Sequence, residues 1–154
     1  MAKLSAGTFL MVGTKGSDST VSYKKLCDIT NTPDLGAAPA TVDITTLSDY
    51  MHKYIAGLLD TGQLQFSAWL DDDTIKLIKA GTSDEEPLCV SFGGEKDTAN
   101  GVMKPTGTYF NAAFTGQVSV IVSGAEVDAG IPVQITVTVS SAITFPDEIT
   151  IATT

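Results

Sequence analysis

Val133-Gln134-Ile135-Thr136-Val137-Thr138-Val139-Ser140 alternates strictly between apolar and polar side chains. In an extended chain successive side chains point to opposite faces, so this stretch predicts a strand with one buried valine and isoleucine face and one polar face. Just upstream, Val118, Val120 and Val122 face one way, and Ser119 and Ser123 the other with Ile121 between them. The segment from Gly124 to Pro132 holds two glycines and a proline and reads as the loop of an antiparallel pair.

The same pattern recurs toward the N-terminus. Leu64, Phe66, Ala68 and Leu70 alternate with Gln65, Ser67 and Trp69, and Leu88 to Phe92 is a short run stopped by Gly93-Gly94. Thr8 to Val12 and Val21 to Ile29 predict a first hairpin around the turn-rich stretch 13–19, and Tyr109 to Phe114 begins a long strand that continues through Val122. Between the strands at 63–70 and 88–92, Asp71-Asp72-Asp73-Thr74-Ile75-Lys76-Leu77-Ile78-Lys79-Ala80-Gly81 carries the punctuation of a short helix. Asp71 or Asp72 caps it, acidic residues sit at its positive end, Lys76 and Lys79 lie toward its negative end, and Gly81 ends it. Ile75 and Ile78, with Leu77, supply the stripe that lays it on a sheet. The expected architecture is all-β with one short flanking helix, a small β-sandwich or open barrel, formed by a single domain over residues 1–154.

Composition narrows the function classes. With 43 % hydrophobic and 18 % charged residues, the 154-residue chain has enough apolar surface to fold around one core. Its net charge is −9, and all nine basic residues are lysine, which excludes a bidentate arginine clamp and predicts net repulsion from nucleic acid. The N-terminus lacks the apolar run of a signal peptide, and no stretch approaches the roughly twenty apolar residues of a membrane span. The expectation is a soluble protein made in a cytoplasm, with no membrane partner. Cys27 and Cys89 lie on strand-like segments far apart in sequence and read as buried thiols.

Chemistry-bearing motifs are weak. His52, the single histidine, has no nucleophile at a recognisable spacing, and Ser22-Tyr23-Lys24-Lys25 matches Ser-x-x-Lys without its companion elements. Asp71-Asp72-Asp73 and Asp84-Glu85-Glu86 lack the spacing of a calcium loop, and neither Gly13-Thr14-Lys15-Gly16 nor Gly93-Gly94-Glu95-Lys96 is a phosphate-binding loop. No catalytic, cofactor or metal residues are therefore expected, and the chain is not expected to be an enzyme. The rival reading is a β-sandwich ligand- or carbohydrate-binding module, for which only Trp69 offers an aromatic platform.

Residues 30–62 fit neither periodicity. Thr30 to Ala40 is polar and punctuated by Pro33 and Pro39, Thr41 to Thr45 alternates briefly, and Leu47, Tyr50, Met51, Tyr54, Ile55, Leu58 and Leu59 then need something to be buried against. A neighbouring molecule is the expected cover, with the segment protease-sensitive in the monomer and ordering on assembly. Ile29-Thr30-Asn31-Thr32-Pro33-Asp34-Leu35-Gly36, then Thr45-Thr46-Leu47-Ser48-Asp49, then Tyr54-Ile55-Ala56-Gly57-Leu58-Leu59-Asp60-Thr61-Gly62 and Leu64-Gln65-Phe66 resemble the N-terminal half of siphophage major tail proteins, the tail tube family.

That resemblance implies a domain of the phage tail tube type whose copies form six-fold rings stacked into a tube, with the segment at about 30–62 as an extended inter-ring arm. It implies Leu35, Thr45, Thr46, Leu47, Asp49, Tyr50, Tyr54, Ile55 and Gly57 as inter-subunit residues. The implied partners are further copies of the chain and the tape measure, tail-tip and terminator proteins. DNA would pass through without specific binding, repelled by the excess carboxylate charge if that charge is directed to the lumen, in a virion tail assembled in the host cytoplasm. Some relatives carry a further immunoglobulin-like domain; this chain leaves no room for one after the tube domain, so surface decoration is not expected.

Overall fold

A computed structural model describes residues 7–36, 39–58 and 62–152. Its strands are β1 (Phe9–Lys15), β2 (Val21–Cys27), β3 (Thr41–Asp43), β4 (Tyr54–Ala56), β5 (Gln63–Trp69), β6 (Glu86–Phe92), β7 (Glu95–Asp97), β8 (Val102–Lys104), β9 (Phe110–Val122), β10 (Pro132–Val139) and β11 (Thr150–Ile151). One helix, α1 (Asp72–Ala80), follows β5. Seven strands form one sheet in the order β11-β2-β1-β6-β9-β10-β5, antiparallel except where β11 joins β2. The all-β expectation with one short helix holds among the described residues.

The sheet curls because its apolar stripe must be buried against itself. Leu10 and Val12 from β1, Cys27 from β2, Phe66 from β5, Leu88 and Val90 from β6, Phe114 and Val118 from β9 and Ile135 and Val137 from β10 form one cluster. Strands from opposite ends of the sheet thus share a core. Curling is helped at β2, where the pairing slips between Leu10 and Met11 and leaves Leu26 as an extra residue. Such a bulge sharpens local twist, and here Leu26 and Cys27 both meet the central cluster. The chain just beyond β2, the strand next to the β11 edge, then touches β5 at the other edge. The Thr30 amide donates to the Ser67 carbonyl at 2.7 Å, and the Ser67 amide donates to Asn31 Oδ1 at 3.0 Å.

Strand β9 turns the corner of the sheet. Its first half pairs with β6 and its second half with β10, and Gly116 takes part in both pairings. A Cβ at Gly116 would lie 2.5 Å from the Thr138 carbonyl oxygen, so only glycine admits this approach. Along the second half, burial fades from Val118, which is enclosed, to Val122, which is 48 % exposed. The valine alternation therefore marks the strand but overstates how far the core extends.

Helix α1 begins as its sequence requires. Asp71 is the cap, its carboxylate accepting from the Thr74 amide at 2.9 Å while the Thr74 hydroxyl accepts from the Asp71 amide at 2.8 Å. Leu77 and Ile78 pack on the central cluster, and Gly81 ends the helix at φ 75°. On the reverse face of the sheet, Phe9, Met11 and Cys89 are covered by Met103 from β8 and by Ile149 and Ile151 at the C-terminal end. The β7–β8 hairpin and β11 carry too few residues to show a period, and the sequence pattern does not reveal them.

Cys27 and Cys89 are both buried and free, and burial pushes each thiol up to about 12. They belong to different clusters on opposite faces of the sheet. No described helix is long and apolar enough to cross a membrane.

Gly116→Ala is expected to cost about 1–3 kcal/mol through forced separation of β9 and β10. Phe66→Ala is expected to cost about 3–5 kcal/mol by opening a cavity where the sheet ends meet. Urea unfolding checks both, each variant lowering the midpoint without changing the slope.

Candidate assembly interface

Residues 39–58 form an arm. β3 and β4 pair antiparallel with each other, Val42 opposite Ile55 and Asp43 opposite Tyr54, in a two-stranded sheet separate from the seven-stranded one. The arm is pinched at its neck, where the Gly57 amide donates to the Ala40 carbonyl. A Cβ at Gly57 would lie 2.9 Å from that carbonyl oxygen, which gives this glycine its reason. The sequence reading expects this segment to order on assembly, whereas within one chain residues 41–56 already pair as a hairpin.

Polar side chains shape the tip. The Thr46 amide and hydroxyl each donate to Asp49 Oδ2 at 2.9 Å, and the Asp49 amide returns a bond to the Thr46 carbonyl at 3.0 Å. Lys53 Nζ reaches Asp49 Oδ1. Thr45 bridges the two strands: its amide donates to Asp43 Oδ1 at 2.9 Å, and its hydroxyl accepts from the Lys53 amide at 3.0 Å. The Ile44 amide donates to the Lys53 carbonyl at 3.0 Å. Local side-chain bonds of this kind stand in for the core that the tip lacks.

His52 Nδ1 lies 3.6 Å from Asp43 Oδ2 and 3.4 Å from Thr45 Oγ1. Threonine, histidine and aspartate therefore meet, but the Thr45 hydroxyl donates to Asp43, so its proton is not directed at the imidazole. The grouping ties the strands together and is open to solvent.

Tyr54 stacks on His52 with ring centroids 6.2 Å apart, and the other apolar residues are open to solvent. Leu47 is fully exposed and Tyr50 98 % exposed, and Met51, Tyr54, Ile55 and Leu58 are all exposed. Of the residues named from sequence, Thr45, Thr46, Leu47, Asp49, Tyr50, Tyr54, Ile55 and Gly57 all lie on this hairpin or at its neck. Leu35 does not: it precedes the arm and packs on the central core of its own chain. Within the set, Thr45, Thr46 and Asp49 build the tip, while Leu47, Tyr50, Tyr54 and Ile55 offer surface. Leu59, Asp60 and Thr61, part of the same sequence pattern, lie outside the described residues.

A second surface is the outer face of β5, β10 and β9. Its cross-strand rows are Ser67–Gln134–Ile121, Gln65–Thr136–Ser119 and Gln63–Thr138–Gln117. None of these residues is charged, and Gln134 Nε2 donates to Gln65 Oε1 at 2.9 Å. Sequence reading named the serines and threonines of β9 and β10; the glutamines of β5 join them only because β5 pairs beside β10. No three His, Cys, Asp or Glu side chains converge to hold a metal among the described residues. Compared with known proteins, the chain matches no family model and no curated protein sequence.

Both tip carboxylates sit below the ordinary range. The Thr45 hydroxyl and then its amide lower Asp43, and Lys53 followed by the Thr46 amide and hydroxyl lowers Asp49. A depressed native pKa adds stability that is full at neutral pH and is lost as pH falls through the native value. Amide signals of Thr45, Thr46 and Lys53 are therefore expected to move in acid, starting as pH falls toward 3.8 and finishing below it, with Phe66 and Ile135 unmoved. Nuclear magnetic resonance titration checks this, and tip signals that move only near neutral pH would contradict it.

Proposed function

We propose that this chain is the tube subunit of a long phage-type tail, a siphophage-type major tail protein. Copies close into six-membered rings, the rings stack, and the lumen is a conduit through which DNA passes without specific binding. The observation that carries this reading is the arm: a hairpin formed within one chain that turns Leu47, Tyr50, Tyr54 and Ile55 to solvent. A lone two-stranded ribbon is marginal in water, and burying a large aliphatic side chain stabilises by about 1.5–3 kcal/mol. Copies that cover each other's arms therefore gain where a monomer does not.

The uncharged face of β5, β10 and β9 supports the conduit, because glutamine, serine and threonine offer phosphate no ionic grip. A chain of net charge −9 without arginine adds to that lack of adhesion. The number of subunits per ring rests on the resemblance in residues 29–66. So do the tape measure, tail-tip and terminator partners and the place in a virion tail assembled in the host cytoplasm. On this reading the protein acts by assembly and not by catalysis.

Electron microscopy of the purified protein over a concentration series is expected to show rings or tubes with a central channel. Leu47→Ser is expected to raise the concentration needed for assembly roughly 10- to 150-fold, the equivalent of about 1.5–3 kcal/mol of lost burial. Asp73→Ala is expected to leave it unchanged. Trypsin cleavage after Lys53 should slow in the assembled form; equal cleavage in free and assembled protein would count against an arm buried between copies.

A further inference from the structure

The reverse face of the sheet is partly covered by the β7–β8 hairpin, a ribbon of three residues a strand, paired Glu95 to Lys104, Lys96 to Met103 and Asp97 to Val102. Its Met103 packs on Phe9, Met11 and Cys89, and Lys104 Nζ lies 3.3 Å from Glu95 Oε1. A two-stranded ribbon this short is marginal by itself and opens locally more readily than the core.

The turn of the hairpin, Thr98-Ala99-Asn100-Gly101, is exposed and tied to one residue. Asp97 Oδ1 accepts from the Ala99 amide at 3.1 Å, Asp97 Oδ2 from Asn100 Nδ2 at 2.8 Å, and the Asp97 carbonyl from the Gly101 amide at 2.9 Å. Gly101 sits at φ 68°, and nothing lies within 4 Å of the place a Cβ would take. Asparagine is among the thermally labile residues, and its weakest position is before glycine, where no Cβ shields the backbone nitrogen from the preceding side-chain carbonyl. The other two asparagines of the chain are placed differently. Asn31 is followed by Thr32, and its Oδ1 accepts from the Ser67 amide. Asn111 is followed by Ala112 and is fully buried, its Nδ2 donating to the Gly107 carbonyl at 2.9 Å.

We propose that Asn100 is a self-modification site, deamidating through a succinimide with water as the co-reactant, and that the change loosens the β7–β8 hairpin. In the closed turn Asp97 holds both the Gly101 nitrogen and the Asn100 amide, so the reaction waits on local opening. The Gly101 nitrogen then gives its proton to hydroxide and attacks Asn100 Cγ. The N–Cγ bond forms, the Cγ–Nδ2 bond breaks, and Nδ2 takes a proton from water and leaves as ammonia. Water next adds to one of the two ring carbonyls. Opening at Cγ leaves aspartate, and opening at the backbone carbonyl leaves isoaspartate, with the chain running through the former side chain. Aspartate sets a carboxylate, which only accepts, against Asp97 Oδ2 in place of a donor. Isoaspartate lengthens the turn by a methylene. Both products weaken the turn that closes the ribbon over Cys89, and the reaction needs no second copy of the chain.

The test incubates the intact chain in mildly alkaline buffer and follows peptide masses and maleimide labelling of the two thiols. A gain of one mass unit is expected in the peptide that holds Asn100, with an equal amount of ammonia released and a rate that rises with pH, while Asn31 and Asn111 stay unchanged. Gly101→Ala should suppress the gain. So should Asn100→Gln, which leaves the left-handed turn position untouched and whose longer side chain would have to close a six-membered ring. As the gain accumulates, Cys89 should open to maleimide while Cys27, on the opposite face, stays closed. No gain after prolonged incubation, or an equal gain at all three asparagines, would overturn the site. A gain at Asn100 that leaves Cys89 as closed as in fresh protein would overturn the loosening.

Discussion

The contact at Ser67 governs the rest of this molecule. There the chain leaving β2, the strand next to the β11 edge, meets β5 at the opposite edge of the seven-stranded sheet through backbone and Asn31 hydrogen bonds. The face that carries the central cluster must be covered, and the single short helix here is too small to do so alone. The sheet covers itself instead, bringing Cys27 and Phe66 into one cluster although they lie on strands near opposite ends of the sheet order. The bulge at Leu26 and the glycine corner at Gly116 are the local devices that make this curvature possible.

The arm follows the same contact in the chain. After Asn31 the chain runs beside β5 toward its beginning, with Leu35 held on the core, and it must re-enter the sheet at Gly62. The Gly57–Ala40 bond closes the neck of the hairpin 41–56. Leu35 is thus the arm's anchor, which its position in the sequence pattern does not distinguish from a contact residue.

Order and stickiness are divided within the arm. Asp43, Thr45, Thr46, Asp49 and Lys53 use their polar atoms on one another and on the backbone, so the tip has a shape without a core. Among the large apolar side chains Tyr54 stacks on His52, while Leu47, Tyr50, Met51 and Leu58 remain in water. A surface formed in advance loses less conformational entropy when it is covered than a segment that orders on contact. This division is why an exposed hairpin with so many apolar groups is consistent with a specific partner.

Much of this was legible in the residues themselves. The alternation at 133–139, 64–69 and 88–92 set the strands, Asp71 and Thr74 set the start of α1, and the unpaired hydrophobics between Leu47 and Leu58 marked the segment that does not belong to the core. These are local properties, settled by period, capping and turn chemistry within a few residues. Pairing order, the meeting of Asn31 with Ser67, and the split of the arm into tip-builders and surface came only with the tertiary structure. So did the glutamine-rich face of β5 beside β10. The reason is physical: which strand lies beside which, and which loop closes over which side chain, depend on contacts between residues far apart in sequence, and such contacts leave no periodic mark in the chain.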